Sequence, residues 1–146
     1  MRYSIAALTP VLLLAAACHG TDNHEESAMS THSVKGQIDR GAVVYAANCA
    51  RCHGDHAEGK KGPPLVGPNA LPLNPRPGQQ LRTEQFHTAM DVAKFVTTNM
   101  PPDPDVRKKI PESDYWAVLA FDLHANKVAL KQPVGPSNAD SIVLHP

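Results

Sequence analysis

Two cysteines and one histidine form a short motif near the middle of the sequence, Cys49-Ala50-Arg51-Cys52-His53. The spacing C-x-x-C-H is typical of sites at which haem is attached covalently. In such a site the two thiols add to the two vinyl groups of the porphyrin and form thioethers, and the histidine binds the iron. The motif predicts one haem c per chain, bound through Cys49 and Cys52, with His53 as an iron ligand.

Three other uses of these two thiols fit the sequence less well. A structural zinc site needs a second pair of Cys or His ligands at defined spacing, and the sequence has no further cysteine pair. A thioredoxin-like dithiol lies between a strand and a helix, in a pattern that this sequence does not show. A simple disulfide would leave His53 without a role. Haem attachment is therefore the interpretation that uses all three side chains.

The composition indicates a chain that needs a cofactor to complete its core. Its 146 residues predict one domain, in which hydrophobic residues make up 42% but aromatic residues only 5%. With 14 prolines and 9 glycines, few large apolar side chains remain to fill an interior. Lys and Arg number 14, as do Asp and Glu, and this balance argues against nucleic-acid binding.

Three segments have the apolar periodicity of helices and must position the motif. The first, 38–48, leads directly into Cys49; the second runs from Thr83, a suitable N-cap, to about residue 98; the third covers about 111–126. Residues 59–77 are too rich in Gly and Pro for regular structure, and no segment alternates convincingly as a strand. The sequence predicts an all-α fold with Pro/Gly-rich loops wrapped around the haem.

The N-terminus resembles a bacterial lipoprotein signal peptide. A start that contains Arg2 is followed by an apolar stretch, 5–17, that is too short to cross a membrane as a helix. We expect removal of residues 1–17 and acylation of Cys18, which would tether the protein to a membrane. The alternative is an ordinary export signal that leaves Cys18 as a free thiol.

The rest of the chain divides by composition into three parts. Residues 18–36 are rich in His, Ser, Thr and Glu and predict a flexible tether. Residues 37–131 predict the folded haem domain. Residues 132–146 contain three prolines and no helical period, which predicts a C-terminal tail.

The chain resembles the small class I cytochromes c, which are single-haem electron carriers. The resemblance covers residues 37–127 and rests on Gly41-x-x-x-Tyr45-x-x-x-Cys49 and on the loop Gly62-Pro63-Pro64-Leu65-Val66-Gly67. It implies three main helices around one haem. It also implies that Gly41 allows the C-terminal helix to cross closely, with Val118 and Phe121 on the facing surface.

The same resemblance assigns roles in the haem site. It implies that the Pro63 carbonyl accepts a hydrogen bond from Nδ1–H of the proximal imidazole and that Leu65 packs on the haem edge. It also implies that Met100, which precedes Pro101, is the second axial ligand of the iron. The other candidates are Met90, which fits the apolar stripe of the second helix, and three histidines: His56, His87 and His124.

Together these expectations predict that the protein is a membrane-tethered one-electron carrier and not itself an enzyme. Export and the lipid anchor place it on the periplasmic or extracytoplasmic side of a membrane, as a monomer. Its expected partners are redox proteins: a dehydrogenase or quinol-oxidising complex on one side and an oxidase or reductase on the other. The alternative is a haem enzyme, or a haem-bearing subunit of a larger oxidoreductase, with a labile distal ligand.

Overall fold

The computed structural model describes residues 32–145, and within this range the chain is helical. The elements are α1 (Val34–Asn48), α2 (Ala50–His53), α3 (Ala89–Asn99), α4 (Pro104–Arg107), α5 (Glu112–Ala125) and a short 3₁₀ helix (Ala139–Ser141). No strand occurs between residues 32 and 145; a single isolated bridge joins Thr88 to Val143. The predicted all-α fold is therefore confirmed, with α1, α3 and α5 as its three main helices. Residues 1–17, Cys18 and most of the predicted tether lie outside the described residues.

The first helix begins earlier than predicted. Ser33 is its N-cap, and the Ser33 hydroxyl accepts a hydrogen bond from the backbone N–H of Gly36 at 3.0 Å. A serine in this position satisfies an N–H group that has no partner within the helix. Residues 34–36, which composition assigned to the flexible tether, are therefore the first turn of α1.

Close packing of α1 against α5 depends on Gly41. A Cβ at Gly41 would lie 2.0 Å from the carbonyl oxygen of Ala117 and 2.8 Å from Cβ of Phe121. Only a residue without a side chain allows two helices to approach so closely. The expectation for Gly41 and Phe121 is confirmed, but Ala117 rather than Val118 lies against the glycine, because Val118 turns toward the central cleft.

The second main helix begins later than predicted, at Ala89 instead of Thr83. One carboxylate oxygen of Asp91 accepts hydrogen bonds from the backbone N–H groups of His87 (3.0 Å) and Thr88 (2.9 Å), which places the helix start at Thr88. Phe86 is buried, as its place in the apolar stripe suggested, but it precedes the helix.

The C-terminal segment is part of the core and not a surface tail. Val134 and Ala139 are buried, and the Gln37 side chain exchanges two hydrogen bonds of 2.7 Å with the backbone of Val134. Further along, the N–H of Leu144 donates to the carbonyl of His87 at 2.8 Å. The boundary predicted at residue 131 is therefore wrong, since the folded unit continues to the end of the described residues.

Candidate haem-binding site

An apolar cleft lies between α1, α3 and α5 and is closed at one side by the loop that follows α2. Its walls include apolar side chains from all these elements, such as Leu65, Val92, Val96 and Leu119. Cys49 also lines the cleft, together with His53 and Met100. The cleft therefore brings an attachment cysteine and both predicted iron ligands to one cavity.

The attachment motif is built by a break in the helix. Cys49 caps the C-terminus of α1, and α2 forms the next turn, with the Cys49 carbonyl accepting from the N–H groups of Cys52 (3.0 Å) and His53 (2.9 Å). Cys49 and Cys52 are both free thiols. Burial, followed by the nearby Asp122 and Cys52, raises the pKa of Cys49 to about 11.

The His53 imidazole is oriented by the loop that follows it. Its Nδ1 lies 2.8 Å from the Pro63 carbonyl oxygen, which can only accept, so Nδ1 carries the proton and Nε2 is free to bind a metal. The loop is fixed by hydrogen bonds of 2.9 Å and 2.8 Å from Lys61 N and Gly62 N to the Cys52 carbonyl. A Cβ at Gly62 would lie 2.8 Å from Cε1 of the imidazole, so only glycine leaves room for the ring.

Met100 reaches the same cleft from the end of α3. Its N–H donates to Val96 O at 2.9 Å, and its carbonyl accepts a hydrogen bond of 2.8 Å from the Tyr115 hydroxyl. The Arg107 guanidinium donates to Pro101 O at 2.8 Å. The segment that presents the methionine is thus held by two side chains from later elements.

The competing ligand candidates lie elsewhere. Met90 packs against the main hydrophobic cluster and does not line the cleft. The three histidines considered from sequence are exposed and are also absent from the cleft walls: His56, His87 and His124. Among the candidates, only His53 and Met100 line the cavity.

Arg82 also lines the cleft, although no motif in the sequence pointed to it. It is only 3% exposed and stacks over the Phe86 ring, 3.9 Å from the ring centroid. Nη1 donates to Pro72 O at 2.9 Å, but Nε and Nη2 have no hydrogen-bond partner. A buried guanidinium with free donors requires an anionic partner. Because Arg82 lines the cleft, its free donors would suit a carboxylate of a bound porphyrin.

Asp122 is the second functional candidate that sequence reasoning missed. It is 8% exposed, lines the cleft, and has its pKa raised to about 7 by burial. One signal was available, since the Asp122 carboxylate interrupts the apolar run of residues 115–123. The site thus combines an apolar cleft with two thiols, a free imidazole nitrogen, a thioether and an unpaired guanidinium. These groups fit a covalently bound haem.

Comparison with known proteins defines the class as c-type cytochromes. Residues 36–121 match the family described as cytochrome c oxidase, cbb3-type, subunit III. A cytochrome c-553-like protein of Synechocystis sp. is 31% identical over 97 residues, which cover 66% of this chain and 82% of the relative. The solved structure of the sulfane dehydrogenase SoxCD from Paracoccus pantotrophus contains a similar chain. That match has a TM-score of 0.54 and 26% identity, and it covers 88% of this chain and 68% of the other.

The chain therefore belongs to the cbb3-type cytochrome c family, and the predicted resemblance to class I cytochromes c is confirmed. It binds haem c covalently and acts as an electron-transfer protein. Within the described residues, the helices are all too short or too polar to cross a membrane.

Proposed function

We propose that this protein is an exported, membrane-tethered electron carrier whose haem iron is bound by His53 and Met100. The observation that carries the ligand assignment is the cleft itself. His53 and Met100 come from separate segments yet line one apolar cavity with Cys49, whereas the other candidate ligands lie outside it. When bound, the haem supplies an iron ion that can gain and lose one electron reversibly.

The chain's own residues explain why electron transfer is favoured over catalysis at the iron. If the His53 imidazole and the Met100 thioether both bind the iron, no coordination position would remain for a substrate. The hydrogen bond from His53 Nδ1 to Pro63 O keeps the imidazole in one tautomer and increases its basicity. Leu65 lines the cleft, where its side chain would limit access of water to a bound haem.

The ligand assignment is tested by a reduced-minus-oxidised spectrum and a redox titration of the matured protein and its Met100→Ala variant. We expect the variant to lose the low-spin form and to have a lower reduction potential, because a thioether favours iron(II). Met90→Ala is the matched control and should titrate like the wild type. An unchanged titration of Met100→Ala would assign the sixth ligand to another group.

The proposed location rests on the signal-like N-terminus and Cys18. Acylation of Cys18 would keep the haem domain at the extracytoplasmic surface, and this tethering would raise its effective concentration toward neighbouring membrane proteins. Fractionation of cells that express wild-type protein or Cys18→Ser tests this. The variant should move from the membrane to the soluble fraction, and mass spectrometry of the wild type should find a lipid on Cys18. A wild-type protein without lipid would contradict the anchor.

The proposed partners are redox proteins: a dehydrogenase or quinol-oxidising complex as donor, and an oxidase or reductase as acceptor. Arg51, Lys60 and Lys61 are exposed, and the backbone N–H of Lys61 donates to Cys52 O, so this basic group lies beside the attachment motif. A small contact at that edge suits a short-lived electron-transfer complex.

A second candidate function is a haem-bearing subunit fixed to a larger oxidoreductase. The similarity to a chain in the SoxCD structure favours it, since that structure is of a dehydrogenase. Mild detergent extraction followed by size-exclusion chromatography separates the two. A free carrier elutes at the size of one chain, whereas a subunit elutes with a constant partner.

A further inference from the structure

Asp122 is a buried carboxyl group within the haem cleft that the proposed function does not use. It lies on α5, is 8% exposed and lines the cavity. Its Oδ1 accepts one hydrogen bond, 3.2 Å from Nδ2 of Asn126. Among residues 32–145, the ion pairs are Lys35–Asp39 and Arg40–Asp114, so no cation of the described chain pairs with Asp122.

The groups that face Asp122 from the neighbouring helix do not neutralise it. Tyr45 and Cys49 on α1 are close enough for the Asp122 charge to contribute to raising their pKa values. The Cys49 thiol has no proton to exchange once it forms a thioether. The Tyr45 hydroxyl donates to Gly54 O at 2.6 Å, and burial raises its pKa to about 12, so it stays neutral. The other ionisable groups that line the cleft make no hydrogen bond or ion pair with Asp122: His53, Arg76, Arg82 and Tyr115.

We propose that Asp122 is a redox-linked proton site, which takes up one proton from solvent when the haem iron takes up one electron. The donor of the electron is the redox partner that the carrier function already requires. Iron changes from ferric to ferrous, and the carboxylate becomes a carboxylic acid by forming one O–H bond. One electron and one proton enter, so the charge of the haem pocket as a whole stays constant.

The physical basis is the interaction of two charges inside a cavity of low dielectric constant. An ionised carboxylate stabilises ferric iron more than ferrous iron, because ferric iron carries one more positive charge. The coupling is reciprocal, so reduction raises the affinity of Asp122 for its proton. Burial already raises the pKa of Asp122 to about 7, which places the proton exchange within the physiological range. The inference does not depend on which group is the sixth ligand.

This coupling makes the reduction potential of the haem depend on pH. Between the pKa of Asp122 in the oxidised protein and its higher pKa in the reduced protein, the reduction potential falls as pH rises. A tenfold difference in proton affinity between the two oxidation states corresponds to 59 mV for a one-electron couple. We expect at least this tenfold difference for a carboxylate in the cleft.

The test is a redox titration of holoprotein between pH 5 and pH 9, for the wild type, Asp122→Asn and Asp140→Asn. Asp122→Asn keeps the shape of the side chain but cannot ionise, and it should remove the slope in this range. Asp140 is exposed on the 3₁₀ helix and serves as a control for the loss of one negative charge. An optical spectrum of each variant shows whether the axial ligands are unchanged.

Three results would overturn the proposal. The first is a wild-type potential that does not change between pH 5 and pH 9. The second is an Asp122→Asn variant with an intact spectrum and the wild-type slope, which would assign the proton to another group, such as a haem carboxylate. If Asp122→Asn does not mature, infrared difference spectra of the wild type replace it, and the third result is the absence of a carboxylic acid band in the reduced state.

Discussion

The two sides of the haem cleft are held in different ways. In the attachment region, residues 49–66, most hydrogen bonds join backbone groups: the Cys52 carbonyl accepts from Lys61 N and Gly62 N, and the Ala57 carbonyl accepts from Leu65 N at 2.9 Å. In the methionine region, residues 100–110, the carbonyls of the Met100-Pro101 pair accept from side chains, Tyr115 and Arg107.

This difference implies unequal resistance to mutation. Backbone hydrogen bonds remain when side chains change, so His53 should keep its position through most substitutions around it. The position of Met100 depends, besides its backbone bond to Val96 O, on the side chains of Arg107 and Tyr115. We therefore expect the histidine side of the site to be robust and the methionine side to be labile. The following experiments test that expectation, from the largest effect to the smallest.

The largest effect is expected from Gly41→Ala, because Gly41 packs the helix that leads into the attachment region. The new Cβ would overlap the backbone of Ala117, which cannot move independently of α5. Overpacking of this kind lowers the free energy of unfolding by about 3 kcal/mol. Denaturant unfolding of the holoprotein measures it, with Gly135→Ala as control, since a Cβ at Gly135 meets no atom within 4 Å. Equal stability of the two variants would contradict the close crossing.

A smaller loss is expected from Tyr45→Phe, on the attachment side. It removes a buried hydrogen bond of 2.6 Å to the Gly54 carbonyl, so the free energy of unfolding should fall by about 1.5 kcal/mol. Backbone bonds still hold the region, and the spectrum should therefore keep its thioether-to-iron band. Loss of that band in Tyr45→Phe would show that the attachment side is no more robust than the other.

Removal of the hydroxyl group of Tyr115 should instead weaken the binding of Met100 to the iron. Tyr115→Phe removes the hydroxyl that donates to Met100 O, a change of about 1 kcal/mol in the stability of the methionine segment. Added imidazole should then displace the methionine at about fivefold lower concentration than in the wild type. An optical titration with imidazole measures this, and Tyr45→Phe is the matched control. If half-displacement of the methionine needs the same imidazole concentration in both variants, the two regions do not differ in this respect.

The smallest effect is expected at Lys127, which follows α5 and lies in neither region. Its φ of 63° is in the left-handed conformation that glycine adopts without strain. Lys127 N donates to His124 O and Val128 N to Leu123 O, the pattern of a Schellman C-cap. Lys127→Gly should raise the free energy of unfolding by about 0.5 kcal/mol. The imidazole concentration that displaces half of the methionine should stay at its wild-type value, and a change in it would show that the C-terminal end of α5 also influences the methionine side.

The attachment region was predictable because its parts lie close together in sequence. Cys49, Cys52 and His53 fall within one turn, and the carbonyl that orients the imidazole, that of Pro63, follows ten residues later. The helix start at Ala89 was not predictable in the same way. Thr83 and Thr88 are both suitable N-caps, and the choice depends on Asp91 together with a hydrogen bond from Phe86 N to the distant Leu73 carbonyl.

The sequence alone determined the type of cofactor, its covalent attachment and the helical class of the fold, because these depend on residue types at short spacings. The tertiary structure decided which residues share the cleft. Arg82 became a buried cation with free donors and Asp122 a buried acid only when distant segments excluded water from both. It also decided that residues 132–145 pack against the core through Val134 and Ala139, since Gln37 and Val134 meet across nearly the whole folded chain. Burial and electrostatic environment are properties of the assembled cavity, and a linear pattern does not contain them.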